Sequence, residues 1–201
     1  MAEIARRAAL ADTGPEAVLD GGDVRVEALA LMGHVLIQLP TSAGNTPPAA
    51  VALALGLPTA HNRATGDDPV LMRLAPRAWV AITPALEAAA PLATRMADAL
   101  RDAGGHAVEL SDGHQSLRVS GPAAAALIGQ GCALDLDAAA TPPGTATRTA
   151  IARMPAILHR VDRDEFLLHV DRSYAQQFWD WFGCGVRETA ALAAVPGAAI
   201  R

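Results

Sequence analysis

Residues 1–23 are polar, Gly-containing and aperiodic, and an alternation of apolar and polar positions follows them. Val24 and Val26 begin the alternation. The apolar runs 28–32 and 34–39, on either side of Gly33, predict a hairpin. Residues 40–47 (PTSAGNTP) have the composition of a loop. Residues 48–55 predict a short apolar helix, with proline in its first turn and Gly56 in the position that ends a helix in the left-handed conformation. A loop through Pro58, Asn62 and Gly66 follows, and then a second predicted hairpin, 70–74 with 79–83, across Ala75-Pro76-Arg77.

The period then changes. Leu92, Met96, Leu100 and Ala103 recur at helical spacing, with Arg95, Asp98, Arg101 and Asp102 on the wet side, so 91–103 is a helix ended by Gly104-Gly105. Asp112-Gly113 between 107–110 and 116–120 is a strong hairpin signal, with Leu117 and Val119 on one face and Arg118 on the other. Ser120-Gly121-Pro122 opens a helix that runs to about residue 128 and is closed by Gly129 and Gly131. A loop at 138–144 leads to strands at 147–152, 156–161 and 165–170, the last two joined by Asp162-Arg163-Asp164. The last predicted helix is 173–182, capped by Asp171 or Ser173, with Tyr174, Phe178, Trp181 and Phe182 on one face. The tail beyond Gly183 is Ala-rich and weakly periodic. Hairpins with interspersed helices predict an α+β fold of antiparallel sheets with packed helices in two lobes. The expected divisions are a flexible arm at 1–23, a first lobe at 24–105, a second lobe at 106–183 and a tail at 184–201.

Composition narrows the chemistry. The 201 residues are 51% hydrophobic but only 3% aromatic, so the core is expected to consist of Leu, Val, Ile and Ala with a few aromatic anchors. A net charge of −5 argues against nucleic acid as a main partner. All 16 basic residues are arginine. A Schiff-base lysine and the lysine of a phosphate-binding Walker loop are therefore excluded. Cys132 and Cys184 form no C-x-x-C pair and are expected as free thiols of a cytoplasmic protein. The acidic residues near the N-terminus do not fit a signal peptide, and no apolar run is long enough to span a bilayer.

The candidate chemistry is sparse. His159 and His169 fall on neighbouring strands and are expected to be a surface pair rather than metal ligands; His106 and His114 flank a turn and are expected to be solvated. Gly129-Gln130-Gly131 follows a helix instead of a strand, so it fails as a dinucleotide fingerprint. Cys132 reads as a small buried hydrophobe, and Asp135 and Asp137 as loop-capping acids. Trp179 and Trp181, two positions apart, cannot share one helix face. At least one is expected to face solvent or a partner, a composition common at interface hot spots.

The segment 108–182 carries a recognisable series: Leu117-Arg118-Val119-Ser120-Gly121-Pro122, Gly131-Cys132-Ala133-Leu134-Asp135-Leu136, Pro142-Pro143-Gly144, and Arg172-Ser173-Tyr174-Ala175 leading to Trp179-Asp180-Trp181. It resembles the gamma subunit of heterotetrameric sarcosine oxidase, strongly over 108–182 and weakly over 48–83. Ala75-Pro76-Arg77-Ala78 stands where that family has Gly-Pro and acidic residues. The resemblance implies a fold like the folate-binding domain of glycine cleavage aminomethyltransferases. It also implies a non-catalytic subunit of a complex that demethylates sarcosine to glycine, yielding hydrogen peroxide and either formaldehyde or 5,10-methylenetetrahydrofolate. FAD, FMN, NAD, zinc and tetrahydrofolate are then expected on the alpha, beta and delta partner subunits, with no catalytic, cofactor-binding or metal-binding residue on this chain. A similar subunit serves complexes acting on other N-methyl amino acids, such as N-methylglutamate dehydrogenase, and the fold also permits a stand-alone folate-binding protein. Arg118, Arg172, Trp179 and Trp181 are the expected subunit contacts.

Overall fold

A computed structural model describes residues 8–10, 17–43 and 55–193. Eleven strands and three helices are found among them. In chain order they are β1 (Val18–Asp20), β2 (Arg25–Ala28), β3 (Gly33–Gln38), β4 (Arg63–Thr65), β5 (Val70–Ala75), β6 (Ala78–Thr83), α1 (Ala89–Leu100), β7 (His106–Glu109), β8 (His114–Ser120), α2 (Ala124–Gly129), β9 (Ala146–Ile151), β10 (Met154–Asp162), β11 (Glu165–Asp171) and α3 (Ala175–Ala193). The helix expected over 48–55 lies outside the described residues except for Leu55.

The strands form two sheets. Six run in the order β1-β2-β8-β11-β10-β9 and five in the order β4-β5-β6-β3-β7. The registered pairs β1–β2, β2–β8 and β10–β11 in the first sheet are antiparallel, as are β3–β6, β3–β7, β4–β5 and β5–β6 in the second. The α+β class with antiparallel sheets is therefore as the patterning predicts. Each sheet lies in its own compact unit. One unit takes in residues up to Ala30, Gln115–Pro143 and the chain from Arg148; the other takes in Leu31–His114 and Gly144–Thr147.

These units do not coincide with the lobes 24–105 and 106–183 expected from the sequence. β2 pairs with β8, registering Val26 with Val119, and β3 pairs with β7, registering Ile37 with Ala107, so each sheet draws on both halves of the chain. Both misplaced hairpins have a local cause. Gly33 makes no turn. It begins β3, where an added Cβ would lie 2.5 Å from Thr83 Cγ2 and 2.8 Å from Ala89 Cβ, so the glycine is there for close packing. Asp112-Gly113 sits in a 3-10 turn, and β7 and β8 on either side of it belong to different sheets. Part of the expected arm is also ordered: β1 pairs with β2, and Leu10 is buried.

In the six-stranded unit, alternation decides what is buried. Leu117 and Val119 of β8, Ala156 and Leu158 of β10, and Phe166, Leu168 and Val170 of β11 share one core with Leu127 and Ile128 of α2 and Phe178 and Phe182 of α3. Arg160 enters the same unit as a buried cation. Its guanidinium donates to Leu136 O at 2.9 Å, Thr141 O at 2.7 Å and Asp162 O at 3.2 Å, and stacks over Phe166 at 4.9 Å. The loop between α2 and β9 is thereby fastened to the sheet through its backbone carbonyls. α3 continues eleven residues beyond Phe182, through the stretch expected as a tail, because Val186 and Thr189 remain on its buried face.

In the five-stranded unit, Leu92, Met96 and Leu100 of α1 pack with Val35, Ile37, Trp79 and Ala81. Trp79 is wholly buried; its Nε1 donates to Pro58 O at 2.9 Å, and Arg73 stacks on its ring at 5.2 Å. The 70–74/79–83 hairpin forms as predicted, as β5 and β6.

Candidate functional site

On β8, the register that turns Leu117 and Val119 inward turns Ser116, Arg118 and Ser120 to the other face of the six-stranded sheet. Arg118 is half-exposed there between two acids, with Nε 3.1 Å from Glu165 Oε1 and Nη1 3.9 Å from Glu27 Oε2. Glu27 also holds Arg25 at 3.1 Å. The network is solvated, so each pair is weakly stabilising. Arg172, exposed, begins the 3-10 turn Arg172–Tyr174 that leads from β11 into α3.

The two tryptophans are unequally buried. Trp179 is 9% exposed and belongs to the core; Trp181 is partly buried against it and meets Phe182 edge-on at 4.9 Å between centroids. Residues 179 and 181 are both accommodated because Gly131 leaves room beside the indole: a Cβ there would lie 2.8 Å from Trp181 Cζ2. The structure thus gathers Trp179 and Trp181 at one helix, with Arg172 just before it, and leaves Arg118 on a different surface of the same unit.

His159 and His169 are more buried than the sequence suggests, whereas His106 is exposed as expected. His159 and His169 share a face of β10 and β11, each registering beside the other's neighbour two positions away, but they are 7% and 1% exposed instead of superficial. Ile157 and Ser116 on the same face are buried with them. Ser116 Oγ lies 2.9 Å from His169 Nδ1. At 2% and 1% exposure the pair has no access for a substrate, so it acts as a packed hydrogen bond rather than as a nucleophile and base. His159 Nδ1 is buried without a hydrogen-bond partner, and burial holds its pKa down at about 4. In the other unit His34 stacks on His114 with centroids 4.7 Å apart and planes 8° from parallel. Burial, and secondly the charge of His114, lower the His34 pKa to about 4. His34 N–H donates to Ser111 Oγ at 3.0 Å. No spacing in the sequence signals this stack, because His34 and His114 are brought together by β3 and the turn after β7.

The expectations for Cys132, Asp135 and Asp137 hold. Cys132 is buried, with Sγ 3.6 Å from Thr149 Oγ1. Asp135 accepts from Asp137 N at 2.9 Å and Asp137 from Ala139 N at 2.8 Å, both capping the loop. Among the described residues no group of three or more His, Cys, Asp or Glu is placed to hold a metal ion, and no helix is long and apolar enough to cross a membrane.

Three comparisons place this geometry among known proteins. The model of the sarcosine oxidase gamma subunit family matches residues 41–188. The gamma subunit of sarcosine oxidase from Corynebacterium sp. (strain P-1) is 26% identical over 162 residues, covering 80% of this chain and 78% of that protein. A chain of the heterotetrameric sarcosine oxidase from Corynebacterium sp. U-96, solved in complex with pyrrole 2-carboxylate, superposes with a TM-score of 0.79 at 25% identity, covering 92% of this chain and 96% of that one. The glycine cleavage system aminomethyltransferase T from Bartonella henselae superposes with a TM-score of 0.53 over 83% of this chain and 50% of its own; at 16% identity this likeness shows a shared fold alone. A family match over most of the chain, joined to a superposition that spans both compact units, leads to one conclusion: the chain belongs to the sarcosine oxidase gamma subunit family.

Proposed function

We propose that the chain is the structural gamma subunit of a heterotetrameric sarcosine oxidase, an assembly subunit that serves the complex without carrying its chemistry. The observation that carries this reading is the likeness to a chain of a heterotetrameric sarcosine oxidase across 92% of the present chain. The chemistry of the residues agrees with it. The titratable groups withdrawn from water sit in closed packing, as with Ser116–His169 and His159, or are spent on backbone carbonyls, as with Arg160. Arg118 and Arg172, in contrast, present their side chains at the surface.

In this reading alpha, beta and delta subunits complete the complex and hold FAD, FMN, NAD, zinc and tetrahydrofolate. The reaction is oxidative demethylation of sarcosine to glycine, with electrons passed through the flavins to oxygen. Co-expression with the three partners tests it. The isolated chain is expected to be colourless, and the co-expressed complex yellow, with sarcosine-dependent hydrogen peroxide production. Stoichiometric flavin on the isolated chain would move the cofactor assignment onto this subunit. Tight binding of tetrahydrofolate by the isolated chain would favour a stand-alone folate-binding protein. Turnover of N-methylglutamate but not sarcosine would assign the subunit to a related dehydrogenase.

A further inference from the structure

The hairpin between β9 and β10 turns at Ala152 and Arg153, whose φ angles are 50° and 68°. Two successive left-handed residues in a two-residue loop call for Asn-Gly or Asp-Gly, since a Cβ is strained there. Neither residue of this turn is one of those types, and such strain persists only where the surroundings over-determine it. Here they do. Ala152 N donates to Gly131 O at 2.9 Å, Ile151 bridges to Cys132, and Ala152 and Trp181 both pack on the core of the unit. A Cβ on Gly131 would lie 2.8 Å from both Ala152 N and Trp181 Cζ2, so the bracket closes only around glycine.

What the braced turn presents is Arg153. Its side chain is exposed, and among the described residues it makes no hydrogen bond and no ion pair. Arg172 opens the 3-10 turn that follows β11, the strand paired with β10. Arg172 is exposed, and Tyr174 of the same short turn is 37% exposed. An exposed guanidinium on a braced backbone has the composition of an interface anchor. Guanidinium forks match carboxylates in bidentate geometry, and a pre-positioned one loses little freedom on pairing.

Building on the subunit reading above, we propose that the Ala152–Arg153 turn, braced by Gly131 and Trp181, is a docking element, in which Arg153 pairs with a carboxylate on a partner subunit of the oxidase. The strain belongs to the device: a relaxed Asn-Gly turn would form the hairpin more readily and present no cation.

The test is competition inside the assembling complex. Differently tagged wild-type and variant chains are co-expressed in equal amounts with the partner subunits, and their ratio in the purified complex is measured. Arg153→Asn, which tolerates the left-handed turn, is expected to be under-represented about tenfold, and Arg153→Lys by a smaller factor. The double variant Ala152→Asn/Arg153→Gly is expected to melt at or above the wild-type temperature as an isolated chain yet to be excluded like Arg153→Asn, which separates docking from folding. Equal incorporation of Arg153→Asn beside wild type in an intact complex overturns the docking role while leaving the subunit assignment standing. Wild-type chain that enters no complex with those partners overturns both. Wild-type and variant chains pairing with each other alone, through this turn, would make the occupant a second copy and overturn the proposed partner.

Discussion

Gly183 and Gly185 lie two positions apart in the middle of α3, and the structure predicts opposite results for the same substitution. In a helix interior, Gly→Ala gains about 1 kcal/mol from backbone propensity alone. At Gly183 the added methyl would meet nothing closer than Arg187 Nη1 at 3.5 Å and Leu19 Cδ1 at 3.9 Å, ordinary contact distances, so the gain should be realised as about 0.5–1 kcal/mol. At Gly185 the methyl would stand 2.3 Å from Leu127 Cδ1. Leu127 is 1% exposed and enclosed by the core, so it cannot swing into solvent, and α2 and α3 must separate or the leucine must leave its rotamer. Overpacking of this kind costs about 1–3 kcal/mol, which offsets or exceeds the propensity gain. Gly183→Ala should therefore raise the melting midpoint of the isolated chain, Gly185→Ala should leave it unchanged or lower it, and the two should differ by about 1–3 kcal/mol. For a chain of this size that is a separation of several degrees, at roughly 2–4 °C per kcal/mol. Thermal unfolding followed by circular dichroism reads it. Two variants that shift the midpoint equally in the same direction would show that Gly185 does not mediate the α2–α3 contact.

Further substitutions test other parts of the fold. Arg160→Met should cost about 2–4 kcal/mol in denaturant unfolding, because the carbonyls of Leu136 and Thr141 lose a buried charged donor; a cost under about 0.5 kcal/mol would mean that water replaces it. Gly121→Ala should cost about 2–4 kcal/mol, since φ there is 111° and the new Cβ would lie 2.4 Å from Asp23 O; a normal midpoint would contradict the turn geometry. His34 and His159 have folded pKa values of about 4 against an ordinary 6.5. The folded state resists protonation more than the unfolded state, so their contribution is fully present above pH 6.5 and is lost as pH falls from 6.5 toward 4, by about 3 kcal/mol for each. Unfolding measured from pH 7 to 4.5 should show this slope, and His159→Gln should flatten it; an unchanged slope in that variant would remove His159 as a cause.

How much of this was legible in the sequence follows from which interactions are local. Helix α1 and hairpin β5–β6 were readable because their apolar periodicity and turn residues act within a dozen positions. The strands β9–β11 were readable for the same reason. The crossings between sheets were not. Gly33 and Asp112-Gly113 look like turn glycines, but the first relieves crowding from Thr83 and Ala89, fifty or more residues away. The length of α3 was hidden because Gly183 and Gly185 resemble stop signals; what carries the helix on is tertiary packing of Val186 and Thr189. That Trp179 and Trp181 are not both enclosed was legible from their spacing; that Trp179 is the core member and that Gly131 makes room beside Trp181 was not, because both depend on other elements. The family was legible because its pattern is made of turn and cap residues, such as Gly121-Pro122 and Gly131-Cys132, which the backbone demands. The buried histidines and the strained Ala152–Arg153 turn carry no comparable local signal.

The central claim, that this chain acts as a subunit within a flavin-dependent oxidase, is tested most directly by purifying the tagged chain from its own cells at native expression level. The eluate is then measured for stoichiometric partners, flavin absorbance and sarcosine-dependent hydrogen peroxide. The account predicts a single species containing three further subunits, yellow and active with sarcosine, in which flavin remains with the partners when the tagged chain is stripped away. A colourless, monomeric chain recovered without partners would contradict it.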